Sequence, residues 1–382
     1  MTWNTADTMD LRLEFVLLAN QEGANRRELC RRFGISPKTA YKWLERFAQY
    51  GESGLQDRSR RPLHSPMRTS SELEKIVVDL RIQHPCWGGR KILQRLEDIG
   101  YAQLPQAGTV THILRRHDLI TPKSIEQHTP WQRFEHDEPN SLWQIDFKGY
   151  FETLKGICYP LTLLDDHSRF NLLLQACSRP NHDAVQSALV STFERYGMPL
   201  RINADNGPPW GTPKQPSQGI TKLTMWLIRL GIQVSHSRPA HPQTNGKIER
   251  FHRTLKSEVI AGNNFADLQK VQMAFDEWRQ IYNTERPHEG IEMRTPVTRY
   301  RSSPFSYPSH LPSVEYLSTD LVIKVGWEGW IKFKKQSIKV SAALHREIIA
   351  ARPVNQTDGV FDLFYCRQKI LQIDLRKPTN PV

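Results

Sequence analysis

The hydrophobic pattern changes period near residue 139, and this change constrains the fold more than any other feature. Before it, apolar residues recur at helical spacing, and after it they form short runs separated by turn residues. From 139 to 302 the pattern predicts three strands, a helix, a strand, a helix, a strand and further helices. This order indicates a mixed sheet with helices on its faces, in a multidomain α/β chain.

Residues 1–56 predict a helix-turn-helix domain. Three short helical patterns occupy 10–50, and Asn25 is placed to cap the second of them. The third follows Ser36-Pro37, a capping residue with proline at the first helical position. An amphipathic helical hairpin without a role in DNA binding is the alternative interpretation.

Basic and hydroxyl side chains on the outer side of the third helix suit a recognition helix in a DNA groove. These candidate contacts are Lys38, Thr39, Lys42 and Arg46. The following linker, 57–68, is rich in arginine. Its residues Arg58, Arg60 and Arg61 suit a flexible arm along the minor groove or the phosphates, and a solvated linker has the same composition.

Residues 69–122 predict a second, all-α helix-turn-helix of the winged type, opened by a capping box of Ser71 with Glu74. A linker rich in proline, threonine and histidine follows at 123–138. The core at 139–302 is followed by short alternating apolar runs over 310–382. These predict a small C-terminal β-barrel or sandwich.

The chain carries a formal net charge of +12 with an isoelectric point near 9.5, without a low-complexity basic tail. Such a surplus favours a polyanionic partner, above all nucleic acid, although a basic protein without one remains possible. The five cysteines are scattered and show no pattern of a disulfide framework or zinc site. No apolar run reaches the roughly 18 residues of a membrane span, so we expect an intracellular protein without membrane contact.

Two aspartates lie at positions in the predicted sheet that suggest a chemical role. Asp146 lies inside the first strand of the core, in WQIDFKG, where an unpaired buried charge is costly. Asp205 ends the fourth strand, in INADNG, and strand ends of α/β sheets form binding crevices. The predicted strand order places the first and fourth strands side by side, which would bring these carboxylates together.

A third carboxylate, Glu249, lies in the basic helix of HPQTNGKIERFHRTLK, one turn after the predicted cap Asn245. A helix docked on the sheet through Ile248 and Phe251 would add Glu249 from the flank. Three converging carboxylates repel one another unless cations neutralise them, and two divalent ions about 3.5–4 Å apart would do so. Ligation by oxygen alone favours two Mg²⁺ ions, with Mn²⁺ as a substitute.

Each of these acids also has an ordinary explanation. Asp205 precedes Asn-Gly and suits a turn, while Glu249 suits a solvated helix surface. Asp165 and Asp166 are competing acids, and we place them in a hairpin turn where acids are common. Three basic residues near Glu249 are expected to hold phosphates beside the metals. They are Lys247, Arg253 and Lys256.

The blocks WQIDFKG, ADNGPPWG and HPQTNGKIERFHRTLK resemble the three signature blocks of insertion-sequence DDE transposases with a retroviral-integrase-type core. The IS481-like group of bacterial elements is the most similar, over roughly 10–300. The resemblance implies an RNase H-like fold with Asp146, Asp205 and Glu249 as the DDE triad. The proline- and glycine-rich segment 208–220 lengthens the interval between the last two acids, so the loop beside the site is expected to be reshaped.

The resemblance also implies an activity and partners. A DDE enzyme nicks the ends of its element to release a 3′-OH and then directs that 3′-OH at target DNA, using divalent metal. The implied partners are double-stranded DNA at the terminal inverted repeats and at the target, and a second copy of the chain, in the bacterial cytoplasm. A metal nuclease of the RNase H type and a catalytically silent DNA-binding protein remain as alternatives.

Overall fold

The computed structural model describes residues 7–58, 69–120, 135–211, 220–236, 246–354 and 357–376. The chain divides into two compact units, Met1–Arg68 and Thr69–Val382. The first unit has a single apolar cluster, and the second has three. Each unit therefore has an apolar core of its own.

The first unit consists of three helices around Phe15, Val16 and Trp43. The helices are α1 (Thr8–Ala19), α2 (Arg26–Arg32) and α3 (Pro37–Tyr50). The predicted caps are confirmed, because Asn25 accepts the backbone N–H of Glu28 and Ser36 accepts that of Thr39. The second and third helices form the predicted helix-turn-helix.

Three more helices open the second unit and enclose Val77, Trp87 and Leu114. They are α4 (Ser71–Gln83), α5 (Gly89–Asp98) and α6 (Ala107–Arg116). The predicted cap at Ser71 is wrong by one residue, since Ser70 accepts the N–H of Leu73 and Ser71 already begins the helix. Between 69 and 120 the structure describes helices and no strand, so this stretch contains no wing.

A six-stranded sheet forms the centre of the second unit. Its strands are β1 (Trp143–Phe147), β2 (Phe151–Thr153), β3 (Gly156–Asp165), β4 (Asn171–Cys177), β5 (Arg201–Ala204) and β6 (Gln233–His236). The order is β2-β3-β1-β5-β6, with β4 paired to β3. β1 runs antiparallel to β3 and parallel to β5, which confirms the predicted neighbours of the first strand.

Helices cover both faces of this sheet, as predicted. They are α7 (His182–Tyr196), α8 (Lys222–Arg229), α9 (Gly246–Leu255), which continues into a π turn over Lys256–Ile260, and α10 (Leu268–Thr284). Trp143 and Ile145 of β1 pack into the apolar cluster that includes residues of α7 and α8. Because side chains alternate along a strand, Gln144 and Asp146 point to the opposite face, where α9 lies.

The C-terminal region is β-rich, as predicted. Its strands are β7 (Leu321–Lys324), β8 (Trp330–Phe333), β9 (Gln336–Lys339), β10 (Ile348–Pro353), β11 (Val360–Tyr365) and β12 (Gln368–Asp374). Four of them form an antiparallel sheet in the order β12-β11-β10-β7, while β8 and β9 form a hairpin. Both contribute side chains to the apolar cluster on the α7 and α8 face of the central sheet.

Within the described ranges, no helix is both long enough and apolar enough to cross a membrane. All five cysteines fall inside these ranges and carry free thiols.

Candidate active site

The pairing of β1 with β5 sets the position of the two predicted aspartates. Trp143 lies opposite Ile202, and Gln144 lies opposite Asn203. The same register, continued by two residues, aligns Asp146 with Asp205, the first residue after β5 ends at Ala204. Parallel strands with side chains of period two therefore carry both carboxylates on one face, at the carboxyl end of β5.

The neighbouring carboxylates of Asp146 and Asp205 repel each other electrostatically. The Asp146 side chain is only 23% exposed. Burial raises the pKa of Asp146 to about 7, the charge of Asp205 adds to the rise, and Glu249 adds a smaller effect, against one backbone hydrogen bond from Phe147. Burial also raises the pKa of Asp205, although the N–H of Gly207 donates to its Oδ1 at 3.1 Å. The site thus brings two carboxylates together where burial disfavours their ionised forms.

The loop after Asp205 is anchored by Trp210, which is buried and lies with its ring 6.5 Å from that of Phe147 on β1. The Trp210 carbonyl accepts a hydrogen bond of 2.7 Å from the hydroxyl of Thr224 on α8. Gly207 fits closely, because a Cβ there would lie 3.1 Å from Oδ2 of Asp205. ADNGPPWG is therefore a packed turn that holds Asp205 against the sheet.

Glu249 lies on α9 beside this pair and is exposed. The helix docks on the sheet through the buried residues Ile248, Phe251 and Leu255, as predicted, whereas its predicted cap Asn245 lies outside the described residues. Glu249 acts electrostatically on Asp146, but the described part of the chain contains no set of three His, Cys, Asp or Glu side chains close enough to hold a metal. Glu249 thus lies at the edge of the site that the two aspartates form, and metal binding by all three carboxylates stays a prediction.

The donor set suits a hard divalent cation. Asp146, Asp205 and Glu249 offer carboxylate oxygens alone, which Mg²⁺ and Mn²⁺ prefer to the nitrogen and sulfur ligands of zinc sites. Burial, and then the charge of Asp205, raise the pKa of Asp146, so a bound cation would stabilise its ionised form. The chemistry of these donors therefore suits Mg²⁺.

His252, which the sequence patterns did not indicate as a site residue, lies three residues after Glu249 on α9. Its Nε2 is 2.8 Å from the hydroxyl of Thr162, and that hydroxyl donates to the Asp146 carbonyl at 2.9 Å. Its Nδ1 lies 3.9 Å from Oδ2 of Asp146. Burial and the nearby Lys148 lower the pKa of His252 to about 3, so the ring is neutral. The sequence feature that could have indicated His252 is its position one helical turn after Glu249, on the helix predicted to dock on the sheet.

Asp165 and Asp166 are not the ordinary turn acids that the sequence predicted. Both are buried, at 0% and 2% exposure. Asp165 accepts the backbone N–H groups of Asn140 and Ser168, at 2.7 and 2.8 Å. Asp166 accepts the backbone N–H of His136 and the side-chain amide of Gln144, both at 3.0 Å. The predicted hairpin turn is confirmed, since β3 ends at Asp165 and the antiparallel β4 begins at Asn171. The sequence did not reveal that both acids are buried, where the hydrogen bonds around them stabilise the carboxylates.

Lys247 also differs from its predicted place in a phosphate-binding surface. Its ammonium binds the buried Asp166 carboxylate and the Asp166 carbonyl, the latter at 3.2 Å. Burial and the nearby Arg169 lower the pKa of Lys247, and its bond to Asp166 opposes that change. Lys247 thus neutralises the buried Asp166. The sequence could not reveal this pairing, because the two residues are 81 positions apart.

The other two predicted phosphate contacts of the core, Arg253 and Lys256, are exposed. Lys148, which was not predicted, lies close to Lys256. Burial lowers the pKa of Lys148, and the positive charge of Lys256 adds to this shift. These two neighbouring cations, of which Lys148 also acts on His252, form a suitable place for an anionic group.

In the first unit, Lys38 and Lys42 are exposed on α3, and the Lys42 ammonium lies 4.4 Å from the centre of the Trp43 ring. Thr39 and Arg46 are half-buried. The Thr39 hydroxyl lies 2.9 Å from that of Ser36, and the Arg46 guanidinium is 5.1 Å from the Trp43 ring.

The predicted arginine arm is only partly described. Arg58 is exposed, with its guanidinium 5.0 Å from the Tyr50 ring. Arg60 and Arg61 lie outside the described residues.

Five family models match the chain. The integrase core domain matches residues 136–242 and, in a second model, 230–296. A helix-turn-helix domain matches 11–62, and a homeodomain-like domain matches 39–114. The C-terminal domain of IS481 family transposases matches 320–381.

Curated relatives include mobile elements and retroviruses. The transposase for insertion sequence element IS904 of Lactococcus lactis subsp. lactis is 27% identical over 168 residues, which are 43% of this chain and 63% of that protein. The Gag-Pol polyprotein of baboon endogenous virus is 30% identical over 128 residues, 34% of this chain and 7% of that protein. The chain thus spans less than two-thirds of the length of each.

Among solved structures, the intasome of simian T-cell lymphotropic virus in complex with a PP2A regulatory subunit is similar, at a TM-score of 0.37 and 16% identity. The match covers 78% of this chain and 97% of that one. The HTLV-2 integrase catalytic core domain in complex with magnesium has a TM-score of 0.33, 18% identity and coverage of 43% and 97%. The chain thus carries helix-turn-helix domains, an integrase core domain and a region that matches the C-terminal domain of IS481 family transposases, and its relatives include an insertion-sequence transposase.

Proposed function

We propose that this chain is a DDE transposase that binds the terminal inverted repeats of its element and performs metal-dependent end cleavage and strand transfer. One observation carries the proposal. The β1–β5 register aligns Asp146 with Asp205, and burial, followed by the repulsion from Asp205 and the charge of Glu249, raises the pKa of Asp146. A buried cluster of negative charge is costly for stability and useful for binding divalent cations.

The proposed cofactor is Mg²⁺, with Mn²⁺ as a substitute, held by Asp146, Asp205 and Glu249. Two such ions would activate a water or a DNA 3′-OH as nucleophile and stabilise the leaving oxygen of the phosphodiester. The match to the integrase core domain, the match to the C-terminal domain of IS481 family transposases and the oxygen-only donor set support this assignment.

The protein groups around the carboxylates would bind and orient the DNA. Lys148 and Lys256 lie where they would hold a phosphate beside Asp146, and Arg253 would add a further charge. The neutral His252 keeps positive charge away from Asp146 while it bonds Thr162. No side chain is required as a covalent nucleophile, since the attacking group is water or the 3′-OH.

The helix-turn-helix would supply recognition of the element ends. The exposed Lys38 and Lys42 on α3 suit contacts with bases or phosphates, and Arg58 suits the adjoining backbone. Bringing two element ends to one target requires at least two copies of the chain, so we propose a dimer or larger assembly on DNA.

Because the pKa of Asp146 is raised in the folded chain, Asp146→Asn should change the free energy of unfolding in a pH-dependent way when EDTA removes divalent metal. A carboxyl with a pKa near 7 when folded and 3.8 when unfolded destabilises the fold as pH rises between those values. The variant should match wild type near pH 4 and exceed its free energy of unfolding by roughly 1–3 kcal/mol at pH 8. Denaturant unfolding at both pH values measures this.

Asp183→Asn is the control, because that side chain is 93% exposed. It should change stability by less than about 0.5 kcal/mol at either pH. An Asp146→Asn variant less stable than wild type at pH 8, or with a pH-independent difference, would contradict the argument.

The catalytic proposal predicts that Asp205→Asn abolishes chemistry and spares binding. Wild type should cleave labelled element-end DNA and join it to target DNA in Mg²⁺, and EDTA should stop both steps. Loss of a residue that only supports a metal ligand lowers activity by about 10–100-fold, so loss of the ligand Asp205 should lower activity by more than about 100-fold. Asp183→Asn should behave as wild type.

Equal activity of wild type and Asp205→Asn would remove the assignment. Specific end binding by wild type without any cleavage would favour a silent DNA-binding protein. Cleavage of RNA–DNA hybrids without strand transfer would favour a nuclease of the RNase H type.

Lys42→Ala tests the recognition helix. If the ammonium contacts a phosphate, the variant should weaken binding to element ends and reduce the slope of log K against log salt by about 1. Lys155→Ala, at an exposed turn of the core with the lysine 74% exposed, should leave the slope unchanged. An unchanged slope for Lys42→Ala would rule out a phosphate contact there.

A further inference from the structure

We propose that Gln144 is a positioning residue that acts through Glu249. Together with Asp166 and Lys247, it would fix the first turn of α9 over the strand that carries Asp146. We call these three residues the β1–α9 clamp. The role rests on the proposed metal site and adds to it a residue that touches neither metal nor DNA.

The amide of Gln144 is held at both ends. Its side chain is buried, with 2% of the residue exposed. Nε2 donates to Oδ1 of Asp166 at 3.0 Å, and Oε1 accepts the backbone N–H of Ile248 at 3.2 Å. With donor and acceptor both engaged, the amide has one favourable orientation.

Asp166 connects this amide to a second point on the same helical turn. Its Oδ1 accepts from Gln144, and its Oδ2 accepts from the Lys247 ammonium and from the His136 backbone N–H. The Lys247 ammonium also donates to the Asp166 carbonyl at 3.2 Å. α9 is thus held at two successive residues, by the side chain of Lys247 and by the backbone of Ile248.

This attachment lies where a helix is least constrained by its own hydrogen bonds. α9 begins at Gly246, so the Ile248 N–H is one of the first four that have no partner within the helix. The strand supplies the missing acceptor through Gln144. Glu249 is the next residue along α9, and Asp146 follows Gln144 by two positions on the same face of β1.

The side chain of Gln144 therefore links β1, which carries Asp146, to the first turn of α9, which carries Glu249. Glu249 is exposed, so contacts of its own side chain do not determine where it stands. Its position follows from the backbone of the turn, which the clamp holds. Because metal sites tolerate displacements of only about 0.5 Å, loosening the turn should weaken cation binding.

The chain offers a matched control in Gln272, on α10. Its Oε1 accepts the Ala176 N–H at 2.8 Å, and its Nε2 donates to the Leu174 carbonyl at 3.0 Å. This glutamine also fastens a helix to a strand of the same sheet with both ends of its amide. It is not adjacent to any of the three carboxylates, so it tests for a purely structural effect.

The experiment is a double-mutant cycle of Gln144→Met with Glu249→Gln, read by Mn²⁺ affinity and by thermal unfolding of the full chain. Gln144→Met should weaken Mn²⁺ binding by about 10-fold, as the loss of residues that orient ligands does. In the Glu249→Gln background the same change should cost less than about 2-fold, because its effect passes through Glu249. Gln272→Met should lower the melting temperature and leave Mn²⁺ affinity within about 2-fold.

Lys247→Met removes the other attachment and provides a second test where Gln144→Met folds poorly. It should show the same non-additivity with Glu249→Gln. Three results would overturn the positioning role. A folded Gln144→Met variant could keep wild-type Mn²⁺ affinity, or the two substitutions could have independent effects that multiply in the double variant. Gln272→Met could also lose as much Mn²⁺ affinity as Gln144→Met. A wild-type chain that binds no Mn²⁺ would instead overturn the proposed function itself, which keeps the two failures distinct.

Discussion

The parallel pairing of β1 with β5 is the constraint on which the rest of the second unit depends. It sets the register that aligns Asp146 with Asp205 across the two strands. The same alternation sends Trp143 and Ile145 into the apolar cluster on the other face. A shift of one residue would exchange these faces and bury a carboxylate among aromatic rings, so the fold strongly specifies this register.

The polar face of β1 requires compensation, and α9 provides most of it. Lys247 neutralises Asp166, and the Ile248 N–H binds Gln144, while Phe251 packs into the apolar cluster beside them. In the part of the chain that the structure describes, Asp146 lies 3.9 Å from His252, whose ring is neutral. The interior thus satisfies the structural acid and leaves the candidate catalytic acid in need of a cation.

The sequence predicted those features that local patterns determine. The helix-turn-helix, the strand order and the docking face of α9 followed from periodicity, caps and strand rules. The missed features depend on contacts between distant segments: Lys247 with Asp166, His252 with Thr162, and Lys148 near Lys256. Local pattern cannot show that an acid after a strand is buried, because its partners lie elsewhere in the chain. The cap at Ser70 instead of Ser71 is the usual uncertainty of a helix end.

The central claim is that the register-aligned carboxylates and Glu249 bind divalent metal. Anomalous scattering from crystals grown with Mn²⁺ tests it most directly, because it locates the ion independently of activity. The account predicts an anomalous peak between the carboxylates of Asp146 and Asp205, with Glu249 as a further ligand, and no such peak in Asp146→Asn. A peak held by other residues, or none at this site at Mn²⁺ concentrations that support cleavage, would contradict it.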